Sequence, residues 1–374
     1  MNENATVIEK MLKAEGSGQR TALATVVRVK GSAYRREGAK MLITEAGSTM
    51  GLISGGCLES DVAEVARGVI KNDKPLVKQY AMSEDQVWGL GLGCPGTVDI
   101  LIESVPEGDP SFQAWVNSLR NEKAAVLATV LEDTADNRLR AGSRLFISEE
   151  GLVTGSLGSD HLNDQVVKLA EERLSRLHPK SETHSFSLAD EEKVNIFVDV
   201  NVPPPQLMIF GAGHDAIPVA RLARQIGMRT ILVDARPAYA TSERFPGTEI
   251  VLARPEELEK KVHPSPRTFA VIMNHHLERD QVCLRFALES SAAYVGVLGP
   301  RKRKRWLFEA FEEQGISFSE EQLSRLFNPI GLDIGAENAE EVAVSILSEI
   351  VAIRNGHEGG FLREKGSIHE PVRK

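Results

Sequence analysis

The stretch Ala22-Leu23-Ala24-Thr25-Val26 returns as Val126-Leu127-Ala128-Thr129-Val130, an offset of 104 residues. The same offset carries Gly38 to Gly142, Ile43 to Ile147, Gly47 to Gly151, Gly51 to Gly155, Leu58 to Leu162, Val62 to Val166 and Ala66 to Ala170. Glycines, strand-like apolar runs and a helical apolar spacing recur in one register, which specifies one supersecondary unit built twice. Each copy reads as a strand (23–29; 126–131), a second strand after a glycine (40–44; 144–148), a turn, a short third strand, a helix (58–70; 162–177) and a closing strand (98–103; 194–200). We expect copies at about 21–105 and 123–200, joined into one α/β domain over 1–200.

The copies differ where chemistry would sit. Copy one carries Ser54-Gly55-Gly56-Cys57-Leu58-Glu59, where copy two has Gly158-Ser159-Asp160-His161-Leu162-Asn163. The glycine-cysteine turn opens a helix, where backbone N–H groups and the helix dipole favour anions and thiolates. Copy one alone also inserts Gly89-Leu90-Gly91-Leu92-Gly93-Cys94-Pro95-Gly96 before its last strand. A cysteine at a strand-to-helix junction is often a small buried hydrophobe, and glycines often only permit tight turns. Two cysteines in two glycine-rich loops, both absent from the duplicate, shift the balance toward a site made of Gly55, Gly56, Cys57, Glu59, Gly93 and Cys94. Cys283 falls in a helical apolar pattern and reads as core.

Three cysteines are too few and too scattered for a disulfide framework or a CxxC-type zinc site, so reduced thiols are expected. The 44 basic and 53 acidic residues leave a net charge of −9, which argues against a dedicated nucleic-acid binder. No run approaches the roughly 20 apolar residues of a membrane-spanning helix, and no apolar secretory core follows the N-terminus. The expectation is a cytoplasmic protein with no membrane partner.

Val202-Pro203-Pro204-Pro205-Gln206 cannot continue a helix or an interior strand, which places a linker at 201–206. Leu207-Met208-Ile209-Phe210 then reads as a strand, followed by Gly211-Ala212-Gly213-His214-Asp215-Ala216 and a helix. This is the GxGxxA variant of the dinucleotide fingerprint in strand-turn-helix context. A second strand ends at Asp234, 21 residues after Gly213, where an acidic side chain accepts hydrogen bonds from a ribose in such folds. The fold class is therefore an N-terminal duplicated α/β domain followed by a Rossmann-like doubly wound domain over 207–355, with a polar tail at 356–374.

His214 would stand beside the phosphate-binding turn. The strand at 269–273 ends in Asn274-His275-His276, whose adjacent side chains diverge and lack the partners of a metal site; His276 reads instead as a ligand contact at the sheet's carboxyl edge. The run Arg301-Lys302-Arg303-Lys304-Arg305 starts a helix at that same edge. Such a run is usually a solvated face, but here Arg301 or Lys302 is placed to meet phosphate. We expect the functional surface to face a cleft between copy one and this edge, formed within one protomer or across a homodimer.

Together these segments resemble the xanthine dehydrogenase accessory-factor family, XdhC/CoxI. The matching stretches are Gly31-Ser32 through Gly38-Ala39-Lys40-Met41, Gly55-Gly56-Cys57-Leu58-Glu59, the Cys94 loop, Phe210-Gly211-Ala212-Gly213-His214, Val233-Asp234-Ala235-Arg236, 294–301 and Pro329-Ile330-Gly331-Leu332. Departures are Tyr34 where a proline is common, Pro95 where a glycine often follows the loop cysteine, and Asn274-His275-His276 in place of a Thr-His-Asp-His type run. The resemblance implies a role in purine catabolism: binding molybdenum cofactor (molybdopterin), protecting it while a cysteine desulfurase installs its terminal sulfur, and passing it to an apo molybdenum hydroxylase. It implies that Cys57 contacts molybdenum or carries sulfur, with Cys94 as its partner in either role.

A competing reading is an NAD(P)-linked oxidoreductase, with His214 or His276 as acid-base; it leaves the cysteine loops unexplained. A catalytic component of the hydroxylase is disfavoured because grouped iron-sulfur cysteines are missing. A nucleotide-regulated binding module is the third alternative.

Overall fold

Alternate residues of one strand feed two different cores in the computed structural model, which describes residues 3–31, 33–82, 96–105, 108–135, 138–188 and 192–364. On β1 (Thr21–Gly31), Ala22, Ala24 and Val26 pack on one face, and Leu23 packs on the other, as the two-residue period of a strand dictates. The chain divides into two units, Met1–Pro203 and Pro204–Lys374.

In the first unit, β1, β2 (Lys40–Thr44), β3 (Thr49–Gly51), β4 (Leu76–Met82) and β5 (Gly96–Ser104) form an antiparallel sheet in the order β3-β2-β1-β5-β4. The second sheet repeats it: β6 (Ala125–Val130), β7 (Arg144–Ser148), β8 (Val153–Gly155), β9 (Glu182–Ser187) and β10 (Lys193–Asn201) in the order β8-β7-β6-β10-β9. Each sheet's outer face is covered by its own helix, α2 (Glu59–Asn72) or α4 (Asp160–Leu174). The inner faces share one core with α1 (Glu3–Gly16) and α3 (Pro110–Arg120), where Val7, Ile8 and Met11 meet Phe112, Trp115 and Val116.

The duplication therefore begins earlier than expected. Gly51 and Gly155 share a left-handed φ of 92° and 90°. A Cβ on Gly51 would press on Val7, and one on Gly155 on Ser111, two positions that again differ by 104. The helices α1 and α3 are the same element of the two copies.

In the second unit six parallel strands lie in the order β13-β12-β11-β14-β15-β16: β11 (Gln206–Phe210), β12 (Arg229–Asp234), β13 (Glu249–Leu252), β14 (Thr268–Ile272), β15 (Tyr294–Val297) and β16 (Leu326–Phe327). This is the doubly wound order that reverses between β11 and β14, where open α/β sheets bind ligands. One face is covered by α5 (Ala216–Gln225) and α10 (Ala339–Arg354), the other by α6 (Leu258–Lys261), α7 (Leu277–Glu289) and α8 (Arg301–Glu313). A short α9 (Glu320–Ser324) precedes β16. Among the described residues, no helix is long and apolar enough to cross a membrane.

Candidate functional site

The specialised turn of copy one is organised by a carboxylate. Glu59 opens α2 and folds back so that Oε1 accepts from the Ile53 N–H at 3.3 Å and the Ser54 N–H at 2.9 Å, while Oε2 accepts from the Ser54 hydroxyl and from the Leu58 N–H at 3.1 Å. Burial works against the charge of Glu59, but these donors outweigh it and hold its pKa below the ordinary 4.5. Ser54 is buried, and its oxygen also accepts from the Gly56 N–H at 3.2 Å and the Leu58 N–H at 3.1 Å. The expected anion cradle is thus turned inward at these two amides, because they satisfy the buried serine.

What the turn leaves outside is sulfur. Cys57 is exposed, its thiol 3.6 Å from Ser54 Oγ, and a Cβ on Gly56 (φ +105°) would meet nothing within 4 Å. Gly55 lies beside the Tyr34 ring, which is itself exposed. Copy two keeps the same clamp in neutral form: Asn163 Oδ1 accepts from the Leu157 N–H at 2.9 Å, and its amide donates to Ser156 at 3.1 Å. Gly93 and Cys94 lie outside the described residues.

In the second unit the glycine turn sits at the reversal of strand order. Gly211 (φ +116°) has no room for a side chain, since a Cβ would lie 2.6 Å from the Met273 carbonyl oxygen at the end of β14. Gly213 is different: its Cβ would meet Asp215 Oδ1 and, at 3.5 Å, the ring of His275. Those two side chains pair, with His275 Nε2 and Asp215 Oδ2 2.6 Å apart, while His275 itself takes a left-handed φ of 57°. His214 and His276 are both exposed, His276 at the N-cap of α7. Among the described residues, no group of three or more His, Cys, Asp or Glu side chains is placed to hold a metal ion.

Asp234 is 4% exposed and already filled. Oδ2 accepts from the Ala212 N–H at 2.7 Å and Arg236 Nη2 at 2.7 Å; Oδ1 accepts from the Arg236 N–H at 2.8 Å and Nε at 2.9 Å. Burial raises its pKa, but the Arg236 fork and the two backbone N–H groups hold it lower than usual. The acid therefore ties the glycine turn to β12 and presents Arg236, rather than a free carboxylate, to the ligand edge.

At the far side of that edge Arg301 is exposed at the start of α8, and Arg303, two residues on, enters the fold to bond Asp280 Oδ2 with Nε at 2.8 Å. Asp280 Oδ1 accepts from the Asn274 backbone and side chain at 3.0 and 3.1 Å. This buried carboxylate fixes the β14–α7 turn to α8. Arg244 Nη1 also reaches this turn, donating to the Ala212 carbonyl at 3.1 Å. The sequence assigns no role to Arg236, Arg244, Asp215 or Asp280, although Arg236, two residues beyond the strand-ending acid, stands in one of the matching stretches. Cys283 is buried, and desolvation pushes its thiol up to about 12, as a core residue requires.

Comparison with known proteins covers both units. A model described as the XdhC and CoxI family matches residues 14–81 and 118–187, and one described as the XdhC Rossmann domain matches 207–350. A Bacillus subtilis (strain 168) protein, named as a probable component of xanthine dehydrogenase, is 31% identical over 352 residues, covering 93% of this chain and 97% of that one. The "Molybdenum cofactor insertion chaperone PaoD" of Escherichia coli (strain K12) is 23% identical over 354 residues, covering 94% and 89%. A crystal structure described as a xanthine dehydrogenase from Bacillus halodurans is similar with a TM-score of 0.70 at 30% identity, covering 95% of this chain and 98% of that one.

Proposed function

The chain belongs to the XdhC and CoxI family, and from that membership we propose that it is a molybdenum-cofactor accessory protein: it binds the cofactor, shelters it during sulfuration and delivers it to an apo molybdenum hydroxylase. The observation that carries the reading is the asymmetry of the duplicated unit. Both copies keep the same turn clamp, yet only copy one places an exposed thiol on it.

The cargo is a phosphorylated, anionic pterin dithiolene bearing a soft metal. A thiolate suits molybdenum or a transferable sulfur, and Cys57 is exposed among the described residues. Glu59 holds the turn in shape through its hydrogen bonds to Ile53, Ser54 and Leu58, and the thiol is presented from that clamped turn. Anionic groups fit the second unit better, where α5, α7 and α8 begin at the carboxyl edge of the sheet and Arg301 is exposed. Gly55 in the first unit, and Gly211, Gly213, His214 and His276 in the second, are the further proposed contacts, while Gly56 and Asp234 act through the turns they hold; Gly93 and Cys94, outside the described residues, belong to the same proposal.

The proposed partners are the apo hydroxylase and a cysteine desulfurase, the setting a cytoplasmic homodimer active in purine catabolism. A second reading, dinucleotide binding by the Rossmann-like unit, is favoured by its strand order and by Gly211 at the reversal point. Anaerobic purification from a cofactor-replete host, with bound molybdenum measured by mass spectrometry and released pterin by fluorescence, tests the accessory role. Stoichiometric retention by the parent and loss in folded Cys57→Ala supports it; no retention by the parent at saturating supply overturns it.

A further inference from the structure

We infer that Arg236, Tyr239 and Arg244 form a recognition site for a phosphate monoester at the glycine turn of the second unit. The site goes beyond the accessory reading and does not depend on it. In this fold the acid ending the second strand accepts from an unmodified ribose diol, whereas a nearby arginine accommodates a phosphorylated ribose. Here the acid is engaged: all four hydrogen bonds described for the Asp234 carboxylate come from Ala212 and Arg236. A diol arriving there would have to displace a buried ion pair.

The cations beside it are built for a different guest. The Arg236 guanidinium lies 4.3 Å from the centroid of the Tyr239 ring, and the Arg244 guanidinium 5.2 Å from the same centroid. Arg236 is held to Asp234 along Nε and Nη2, which leaves Nη1 on the opposite side. Arg244 donates through Nη1 to the carbonyls of Tyr239 at 2.6 Å and of Ala212 at 3.1 Å, and its buried Nη2 has no hydrogen-bond partner among the described residues. Both arginines are thus anchored to Ala212, the middle residue of the glycine turn, one through Asp234 and one directly. Two positioned guanidinium groups sharing one exposed aromatic ring give charge, hydrogen-bond donors and a flat surface for a base or pterin.

A dianionic phosphate monoester meets these groups better than a diol or a diester does. Two sources share that chemistry: the 2′-phosphate of a phosphorylated dinucleotide and the terminal phosphate of a pterin. Calorimetry on the full chain distinguishes them with two matched pairs of probes, NADP+ against NAD+, and neopterin monophosphate against neopterin. We expect the phosphorylated member of at least one pair to bind ten-fold or more tighter, and Arg236→Ala and Arg244→Ala to erase that preference. Preference in the first pair assigns the nucleotide, in the second the pterin, and in both the phosphate group itself.

Because Arg236→Ala removes a partner of buried Asp234, Arg236→Lys and Arg244→Ala are measured beside it, with circular dichroism as the check on folding. The comparison within each pair on the parent protein needs no variant at all. Equal affinity within both pairs overturns the site, as does a phosphate preference that survives undiminished in folded Arg244→Ala; Arg236→Lys, which keeps the charge but not the planar fork, is expected to weaken the preference without erasing it. A parent that retains molybdenum but shows no phosphate preference overturns this inference and leaves the accessory role standing.

Discussion

Lys40 Nζ lies 2.6 Å from Asp199 Oδ2, both side chains are buried, and the pair joins the first copy to the second across 159 residues of chain. It has a mirror image. Arg144 occupies the place of Lys40 in copy two and pairs with Glu103; Glu103 faces Leu23 on β1 as Asp199 faces Leu127 on β6. Two reciprocal ion pairs therefore bolt the duplicated sheets together. Burial opposes the charge of Arg144, but Glu103 and Asp109 more than offset this and raise its pKa above the usual arginine value.

Removing one partner from such a pair leaves a buried charge uncompensated. Asp199→Ala is expected to cost about 3–5 kcal/mol in urea unfolding, because the Lys40 ammonium loses its counterion while still 2% exposed. Replacing both, as Lys40→Met with Asp199→Leu, is expected to be near neutral or stabilising. Equal losses in the single and double variants would show that the ion pair itself supplies net stability.

Much of this unit was legible because its turns demand glycine. Gly38 and Gly142, Gly47 and Gly151, and Gly51 and Gly155 all have positive φ, so the repeat survives in sequence where a side chain would strain the backbone. The equivalence of α1 and α3 was hidden because Val7, Ile8 and Met11 correspond to Ser111, Phe112 and Trp115, which preserve packing but not identity. The ion pairs were hidden for another reason: their partners are distant in sequence, and a charged residue at a strand end reads as solvated. In the second unit the glycine turn was readable, but the engagement of Asp234 by Arg236 was not, since a free acid and a paired one look alike in sequence.

The turn around Cys57 should loosen in acid. Glu59 has a folded pKa below its ordinary 4.5, so its stabilising contribution is fully present above 4.5 and is lost as the pH falls through the folded value. Amide hydrogen exchange at Ser54 and Leu58, corrected for intrinsic rates, should accelerate over that range more than at Leu157, where the neutral Asn163 does the clamping. Glu59→Gln should remove the pH dependence. Parallel behaviour at Ser54 and Leu157 would contradict the assignment.

The thiols should separate cleanly. In a Cys94→Ser background, a disulfide reagent at pH 8 should modify Cys57 rapidly, while Cys283, buried and raised to about 12, should react only in denaturant. Adding Cys57→Ala should abolish the native reaction. Rapid modification of Cys283 in the folded protein would refute its placement in the core.

The two fingerprint glycines should respond differently to alanine. At Gly211 the new Cβ meets backbone at 2.6 Å and the residue sits at φ +116°, a strain on the order of 1–3 kcal/mol or more. At Gly213 the closest atom is the end of the Asp215 side chain, 2.5 Å away, which can move. Gly213→Ala should keep most of the stability and break the Asp215–His275 pair, seen as a change in the His275 ring resonances. Similar thermal shifts for the two variants would be evidence against the close approach of β11 and β14.

Moving the thiol to the second copy should not restore function. By the offset of 104, His161 is the counterpart of Cys57, yet the local backbone has shifted. In copy one the left-handed glycine is Gly56, and Cys57 precedes the first residue of α2; in copy two it is Gly158, counterpart of Ser54, and α4 already begins at Asp160. A cysteine at 161 would therefore stand in the first turn of a helix, with Asn163 in the clamping position that Glu59 holds in copy one. Cofactor retention and client activation lost in Cys57→Ala should stay lost in the double variant with His161→Cys, with both proteins folded by circular dichroism. Recovery of retention in that double variant would mean that the thiol's copy and setting do not matter, and the asymmetry behind the proposed site would fall.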